Sequence, residues 1–233
     1  MKVTLHKSIT ASLDVDAQQG FTDLCSNELP VAGGTEIVNP LNAQSECARL
    51  RIGTKDAHCQ KADHIATEKE PQFSPIVGSP FTDIRWNAHC IMGTQGAAAI
   101  PGLPHWSEYD YFVWKGIEPD THPYSAVYHT PRINGSELGR AEDGRISTGL
   151  IEYLKQNGIQ NVLIGGLALD YCVKETALDL RANGFEIIIN LEACRGIDLT
   201  SSSAAISEME AEGIIFIDHS KDILLGTLME RPL

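Results

Sequence analysis

Apolar and polar positions alternate with two different periods along this chain, and the changes of period mark its elements. Short, nearly unbroken apolar runs, which a strand buried on both faces produces, occur in "NVLIGGLA" (161–168), "FEIIINLEA" (185–193) and "IIFID" (214–218). Helical spacing fills the intervals. Leu150, Ile151 and Leu154 follow Ser147 as N-cap and end at Gly158; a second helix covers about Asp170 to Asn183 and stops at Gly184; a third runs from Ser201 to Glu212 and closes at Gly213. The N-terminal half repeats this logic, with strands in "ITASLDVD" (9–16), "RLRIGTKDAH" (49–58) and "DYFVWKGIEP" (110–119), and a helix from Pro40 to Leu50. Strands of this type alternating with helices predict an α/β fold with a central, mostly parallel sheet covered on both faces, a three-layer α/β/α arrangement. The segment from about 59 to 110 is rich in proline and glycine and reads as a long loop, of the kind that usually carries function. No linker divides the 233 residues, so a single domain over 1–233 is expected.

Charge narrows the partners. With 18 basic and 31 acidic residues, nucleic acid and anionic membranes are not expected as partners. No apolar stretch reaches bilayer-spanning length, and the first residues lack a signal peptide's apolar segment, so a cytoplasmic location is expected. The six cysteines, at 25, 47, 59, 90, 172 and 194, form no CxxC pair and read as free thiols. Self-association is open for an α/β domain of this size, and a homo-oligomer is compatible with it.

Three positions carry candidate chemistry. Cys172 follows a strand and stands at a helix start, where unpaired amides favour a thiolate and can receive an oxyanion; a small buried apolar thiol fits the same pattern. Asp16 ends a strand, where a carboxylate can move a proton or simply cap a turn. Lys115 ends another, where an ammonium can hold a carboxylate ionised or merely face solvent. In "TKDAHCQKADH" (54–64), Asp56 and His58 share one face of a strand, and His89 follows in "RWNAHCIMGTQG" (85–96). One carboxylate and two imidazoles suit one divalent metal ion, zinc first, with iron or manganese as alternatives, and His64 is a candidate fourth ligand or supporting group. The histidines at 6, 105, 122, 129 and 219 have no such partners in sequence and read as surface or packing residues.

In this order, "DVDAQQGF", "TKDAH", "WNAHCIMGTQG", "VWKG" with "PYSAVY", "GGLALDYCVKETALDLRANGF" and "ACRGID" resemble the nicotinamidase branch of the isochorismatase-like cysteine hydrolases, from about residue 10 to residue 219. The resemblance implies that fold, and hydrolysis of nicotinamide to nicotinate and ammonia through a cysteine thioester, a step of NAD salvage. It implies Asp16, Lys115 and Cys172 as catalytic residues and Asp56, His58 and His89 as metal ligands. It also implies a cis peptide between Leu167 and Ala168, an oxyanion hole from the amides of Ala168 and Cys172, and a ring pocket of Phe21 and Trp86 with Tyr124 nearby. The chain departs from the family pattern at Gly20, where an acid is usual, at Ala57, where an aromatic is, and at Asn87, where proline is common. A related amidase acting on another small amide and a catalytically silent member remain alternatives at this point.

Overall fold

The computed structural model describes residues 2–79, 81–131 and 145–226. The expected single domain over 1–233 therefore includes positions outside the described ones. Eight strands are present among the described residues: β1 (Val3–Leu5), β2 (Thr10–Val15), β3 (Leu50–Asp56), β4 (Tyr111–Lys115), β5 (Asn161–Leu167), β6 (Glu186–Arg195), β7 (Ile215–Ile217) and β8 (Ile223–Leu225). The helices are α1 (Val38–Ser45), α2 (Leu150–Gln156), α3 (Lys174–Ala182) and α4 (Leu199–Ala211).

Six strands form one sheet in the order β4-β3-β2-β5-β6-β7, and every pairing in it is parallel. The pleat sends alternate residues to opposite faces, and the core divides accordingly. Val162, Ile164, Ile187 and Ile189 pack with Leu150 and Leu154 of α2, Ala177 and Leu178 of α3, and Ala205 and Met209 of α4. Leu163 and Ile188 point the other way and pack with Leu5 and Ile223 of the short β1–β8 ladder. On that same side Ile37 and Leu41, at and before the first turns of α1, join Leu167, Ala193, Phe21 and Trp86 in a second cluster. The fold is α/β with helices on both faces of a parallel sheet, as the alternating pattern requires.

Several boundaries differ from the sequence reading. The helix expected from Pro40 to Leu50 spans Val38–Ser45, so that Pro40 sits in its first turn, where the missing N–H costs nothing, and Leu50 opens β3. Ser147 is not the residue before α2. Its Oγ accepts from the Gly149 N–H, and Gly149, at φ 89°, makes the turn into the helix. The helix expected from Asp170 begins with a widened turn, Leu169–Val173, in which the Val173 N–H donates to the Ala168 carbonyl, and regular α-helix starts at Lys174. Such widened turns concentrate at functional sites.

Between Asp56 and Trp106 no strand of the main sheet and no helix is present among the described residues. Isolated bridges organise this loop instead. His58 pairs with Ile91, and Ile65 with Trp86. These bridges bring segments about twenty to thirty residues apart into contact and fold the loop back over the ends of β2 and β3.

Candidate active site

The order of strands reverses between β2 and β5: successive strands are added outward from β2 on one side and from β5 on the other. In open parallel sheets the crevice at the carboxyl ends of such a pair is where ligands bind. Four adjacent strands carry the candidate residues at or just beyond those ends. Lys115 closes β4, Asp56 closes β3, Asp16 follows β2, and Cys172 lies in the turn after β5.

Lys115 Nζ is the hub. It lies 2.9 Å from Asp16 Oδ2, 3.4 Å from Cys172 Sγ and 3.3 Å from the Pro123 carbonyl oxygen, and it is ion-paired with Asp56 Oδ1. Asp16, Asp56 and Cys172 also present acceptor atoms within 4.8 Å of one another. All four side chains are buried. Burial disfavours charge, and burial is the largest influence on each of these groups. It pushes the Asp16 carboxyl above its ordinary value against the pull of Lys115, and pushes the Cys172 thiol well above its own against the same pull. Burial opposes the Lys115 charge, yet Asp16, Asp56 and Cys172 together lift that ammonium well above its usual value. For Asp56 burial is overcome by Lys115 and His58, and the carboxyl is held well below the ordinary range. Burial thus works against the thiolate that a helix start favours, with Lys115 pulling the other way.

Around Asp56, His58 Nε2 lies 3.5 Å and His89 Nε2 3.7 Å from Oδ2. The other nitrogens are committed. His58 Nδ1 is 3.1 Å from the Gly116 carbonyl and His89 Nδ1 is 2.6 Å from the Asn87 carbonyl. A carbonyl oxygen only accepts, so each Nδ1 carries the proton and each Nε2 presents a lone pair. Burial holds His58 below its usual pKa, in the neutral form that a metal needs. Among the described residues His58 Nε2 has no hydrogen-bond partner. One carboxylate oxygen and two converging imidazole lone pairs fit a divalent transition ion. His64 is fully buried beside them, with its ring centroid 4.4 Å from that of His58, and burial lowers its pKa to about 2.

Phe21, Trp86, Tyr124, Ala168 and Cys172 line one small cavity, with Asp56 and His89 at its wall. Trp86 Nε1 donates to Tyr124 Oη at 3.1 Å, and Tyr124 Oη donates to Asp83 Oδ1 at 2.8 Å. The peptide between Leu167 and Ala168 is cis. The N–H groups of Tyr171 and Val173, on either side of Cys172, both donate to the Ala168 carbonyl at 3.1 Å.

Sequence reasoning missed several neighbours. His122 is not on the surface: it is buried, lines the same cavity, and lies 4.1 Å, ring to ring, from His64. Nothing local marked it, because its partners His58 and His64 are about sixty residues away in the chain. Tyr171 stands edge-on to Trp86 at 4.8 Å. Thr54 Oγ1 donates to Asp16 Oδ1 at 2.6 Å, and Gln18 brackets the Asp56 backbone with two 2.8 Å hydrogen bonds. Glu28 explains Gly20. The Glu28 carboxylate accepts from the Cys90 N–H at 2.8 Å and occupies the space a side chain at Gly20 would need, 2.4 Å from where its Cβ would stand.

Comparison with known proteins agrees with this architecture. A family model described as "Isochorismatase domain" matches residues 10–221, and the chain belongs to the isochorismatase family. Among curated proteins, the nicotinamidase of Acinetobacter baylyi is 32% identical over 219 residues, covering 92% of this chain and 94% of that one. Among solved structures, PnC1 from L. infantum in complex with nicotinate superposes with a TM-score of 0.78 at 25% identity, covering 97% of this chain and 100% of that one. The pyrazinamidase of Pyrococcus horikoshii in complex with zinc superposes with a TM-score of 0.65 at 28% identity, covering 90% and 98%.

Proposed function

We propose that this protein is a nicotinamidase, hydrolysing nicotinamide to nicotinate and ammonia. The observation that carries the reading is Asp56. One of its oxygens faces Lys115, which contacts Asp16 and Cys172; the other faces His58 and His89. A nucleophilic cluster and a metal-ligand set therefore share one carboxylate, and an aromatic cavity opens between them. The relatives named for nicotinamide hydrolysis, the one solved with nicotinate and the one solved with zinc support the same reading. In this reading the chain works as one unit, with the 59–110 segment supplying His89 and Trp86 to the cavity.

A divalent ion, zinc in the first instance, held by Asp56, His58 and His89 would supply a Lewis-acid contact for the pyridine nitrogen and so fix the ring. Phe21 and Trp86 hold the ring's faces, and Tyr124 closes the pocket. Asp16 accepts the Cys172 proton as the sulfur attacks the carboxamide carbon. Lys115 keeps Asp16 ionised before the transfer and stabilises the developing thiolate. The amides of Ala168 and Cys172 receive the oxyanion. Asp16 then passes its proton to the departing nitrogen, ammonia leaves, and a thioester remains on Cys172. Asp16 next takes a proton from water as the water adds to the thioester carbonyl. Collapse releases nicotinate, and the proton returns to the Cys172 sulfur.

The test compares ammonia release from nicotinamide and from benzamide, which keeps the carboxamide and lacks the ring nitrogen. The reading expects kcat/KM for nicotinamide to exceed that for benzamide by about a hundredfold or more, an advantage that chelation abolishes. Equal rates on both amides would refute a pyridine-directed site.

A further inference from the structure

His122 brings a third buried imidazole to His58 and His64, and these three present ligand atoms within 4.8 Å of one another. The set overlaps the Asp56, His58 and His89 set, whose atoms meet the same limit. His64 is fully buried, and among the described residues neither of its ring nitrogens has a hydrogen-bond partner; His122 Nδ1 has none there either. An imidazole offers one lone pair, so an ion between the rings would engage one nitrogen of His64 and Nδ1 of His122, groups whose burial without a partner is costly. Neutral imidazoles converging on one point without a carboxylate suit borderline ions such as cobalt, nickel or zinc.

The two sets cannot both be filled. His58 Nδ1 is committed as a donor to the Gly116 carbonyl, so only Nε2 has a lone pair, and one lone pair binds one ion. We infer that His58, His64 and His122 form a second divalent-cation seat, which shares His58 Nε2 with the Asp56–His58–His89 seat and is occupied in exchange with it, one ion per chain. Both seats draw on His58 Nε2, which lies 3.5 Å from Asp56 Oδ2, so an ion in the all-histidine seat would rest beside the Asp56–His58–His89 seat. This inference rests on the proposed metal dependence and adds a position for the ion.

The test uses the full chain, stripped of metal and titrated with Co2+. Bound ion is counted by elemental analysis after equilibrium dialysis, and imidazole ligands are counted by X-ray absorption. The wild type is expected to hold one ion per chain. Asp56→Asn should still hold one, weakened by only about tenfold, with a higher imidazole count than the wild type. His122→Gln should hold one at the other seat with a lower imidazole count. Asp56→Asn combined with His122→Gln should bind at least about a hundredfold more weakly than either single variant. Two ions per chain at saturation would overturn the sharing of His58. An imidazole count that His122→Gln leaves unchanged would overturn the seat itself. His122→Gln alters no ion pair, so its ligand count decides the matter even where Asp56→Asn does not fold. A wild type that takes up no Co2+ would refute the metal reading and this inference together, whereas normal uptake with an unchanged count refutes only the second seat.

Discussion

Asp56 and Lys115 are register partners at the last positions of β3 and β4, and their side chains meet in a buried ion pair. The pairing is a property of the sheet. Two parallel strands ending level place a carboxylate and an ammonium side by side, and the chain then leaves in separate loops. Because Lys115 also contacts Asp16 and Cys172, this one cation balances two buried carboxylates and touches the thiol. Lys115→Met leaves both carboxylates uncompensated. Urea unfolding should show a loss of about 3–5 kcal/mol, and ammonia release should vanish. A stable, active Lys115→Met protein would remove the ammonium from the chemistry.

In the proposed mechanism, protonation of Asp16 sets the acid limb of activity. The base must be ionised to take the thiol proton, and burial raises its pKa above the ordinary 3.8 despite Lys115. The fall of kcat/KM on the acid side should therefore have its midpoint above 3.8, as a property of the coupled cluster. Thr54 donates to Asp16 Oδ1, a bond that favours the ionised form. Thr54→Val removes it, so the limb should move to higher pH. A midpoint that does not move, or moves to lower pH, contradicts the assignment of Asp16 as base.

Gly116 positions His58 in two ways. Its carbonyl accepts from Nδ1, and its φ of 67° with no Cβ leaves room for the ring. A Cβ there would stand 2.5 Å from His58 Cε1 and 2.6 Å from Nδ1. Gly116→Ala should weaken metal binding by about 10–100-fold, as loss of supporting contacts at metal ligands does, and excess metal should restore part of the activity. Metal titration followed by ammonia release checks both halves.

Glu28 holds the turn that carries His89. Its carboxylate ties down the Cys90 N–H, beside a Cys90 backbone at φ 49°. Glu28→Ala should lower metal affinity. Adding Gly20→Asp to that variant should restore much of it, because the Cβ at position 20 would stand 3.1 Å from Cys90 N and a carboxylate there enters the vacated space. Gly20→Asp alone should be worse than wild type, since two carboxylates would compete for one amide. Metal affinities of the three variants, with thermal melts, give the order.

The legibility of this chain in sequence followed its physics. "NVLIGGLA" and "FEIIINLEA" are apolar on both faces because helices cover both faces, so strand, layer and parallel pairing were all readable from the run of residues. Asp16, Asp56 and Lys115 stand at strand ends and Cys172 in the turn that follows one, and the end of an apolar run is visible. The β1–β8 ladder was not, because three residues per strand with one end of the chain pairing the other leave no period to detect. Within 59–110 the order comes from single bridges such as His58–Ile91 and Ile65–Trp86, which have no repeating pattern. His122, Glu28 and Gln18 escaped for a related reason: each acts on a residue distant in sequence, and "THPYSAVY" or "SNELP" looks like any loop until the fold closes it. The family resemblance supplied the cis peptide and the grouping of Phe21, Trp86 and Tyr124, which line one cavity and which no periodicity encodes.

The proposed reaction turns on the sulfur of Cys172. Ammonia release from nicotinamide should be measured for wild type and Cys172→Ala, with metal content and melting temperature recorded on the same preparations. The expected result is a loss of about 10⁴-fold or more in kcat for a variant that melts and binds metal as the wild type does. A Cys172→Ala protein that retains activity within about tenfold of wild type would show that no thioester lies on the path.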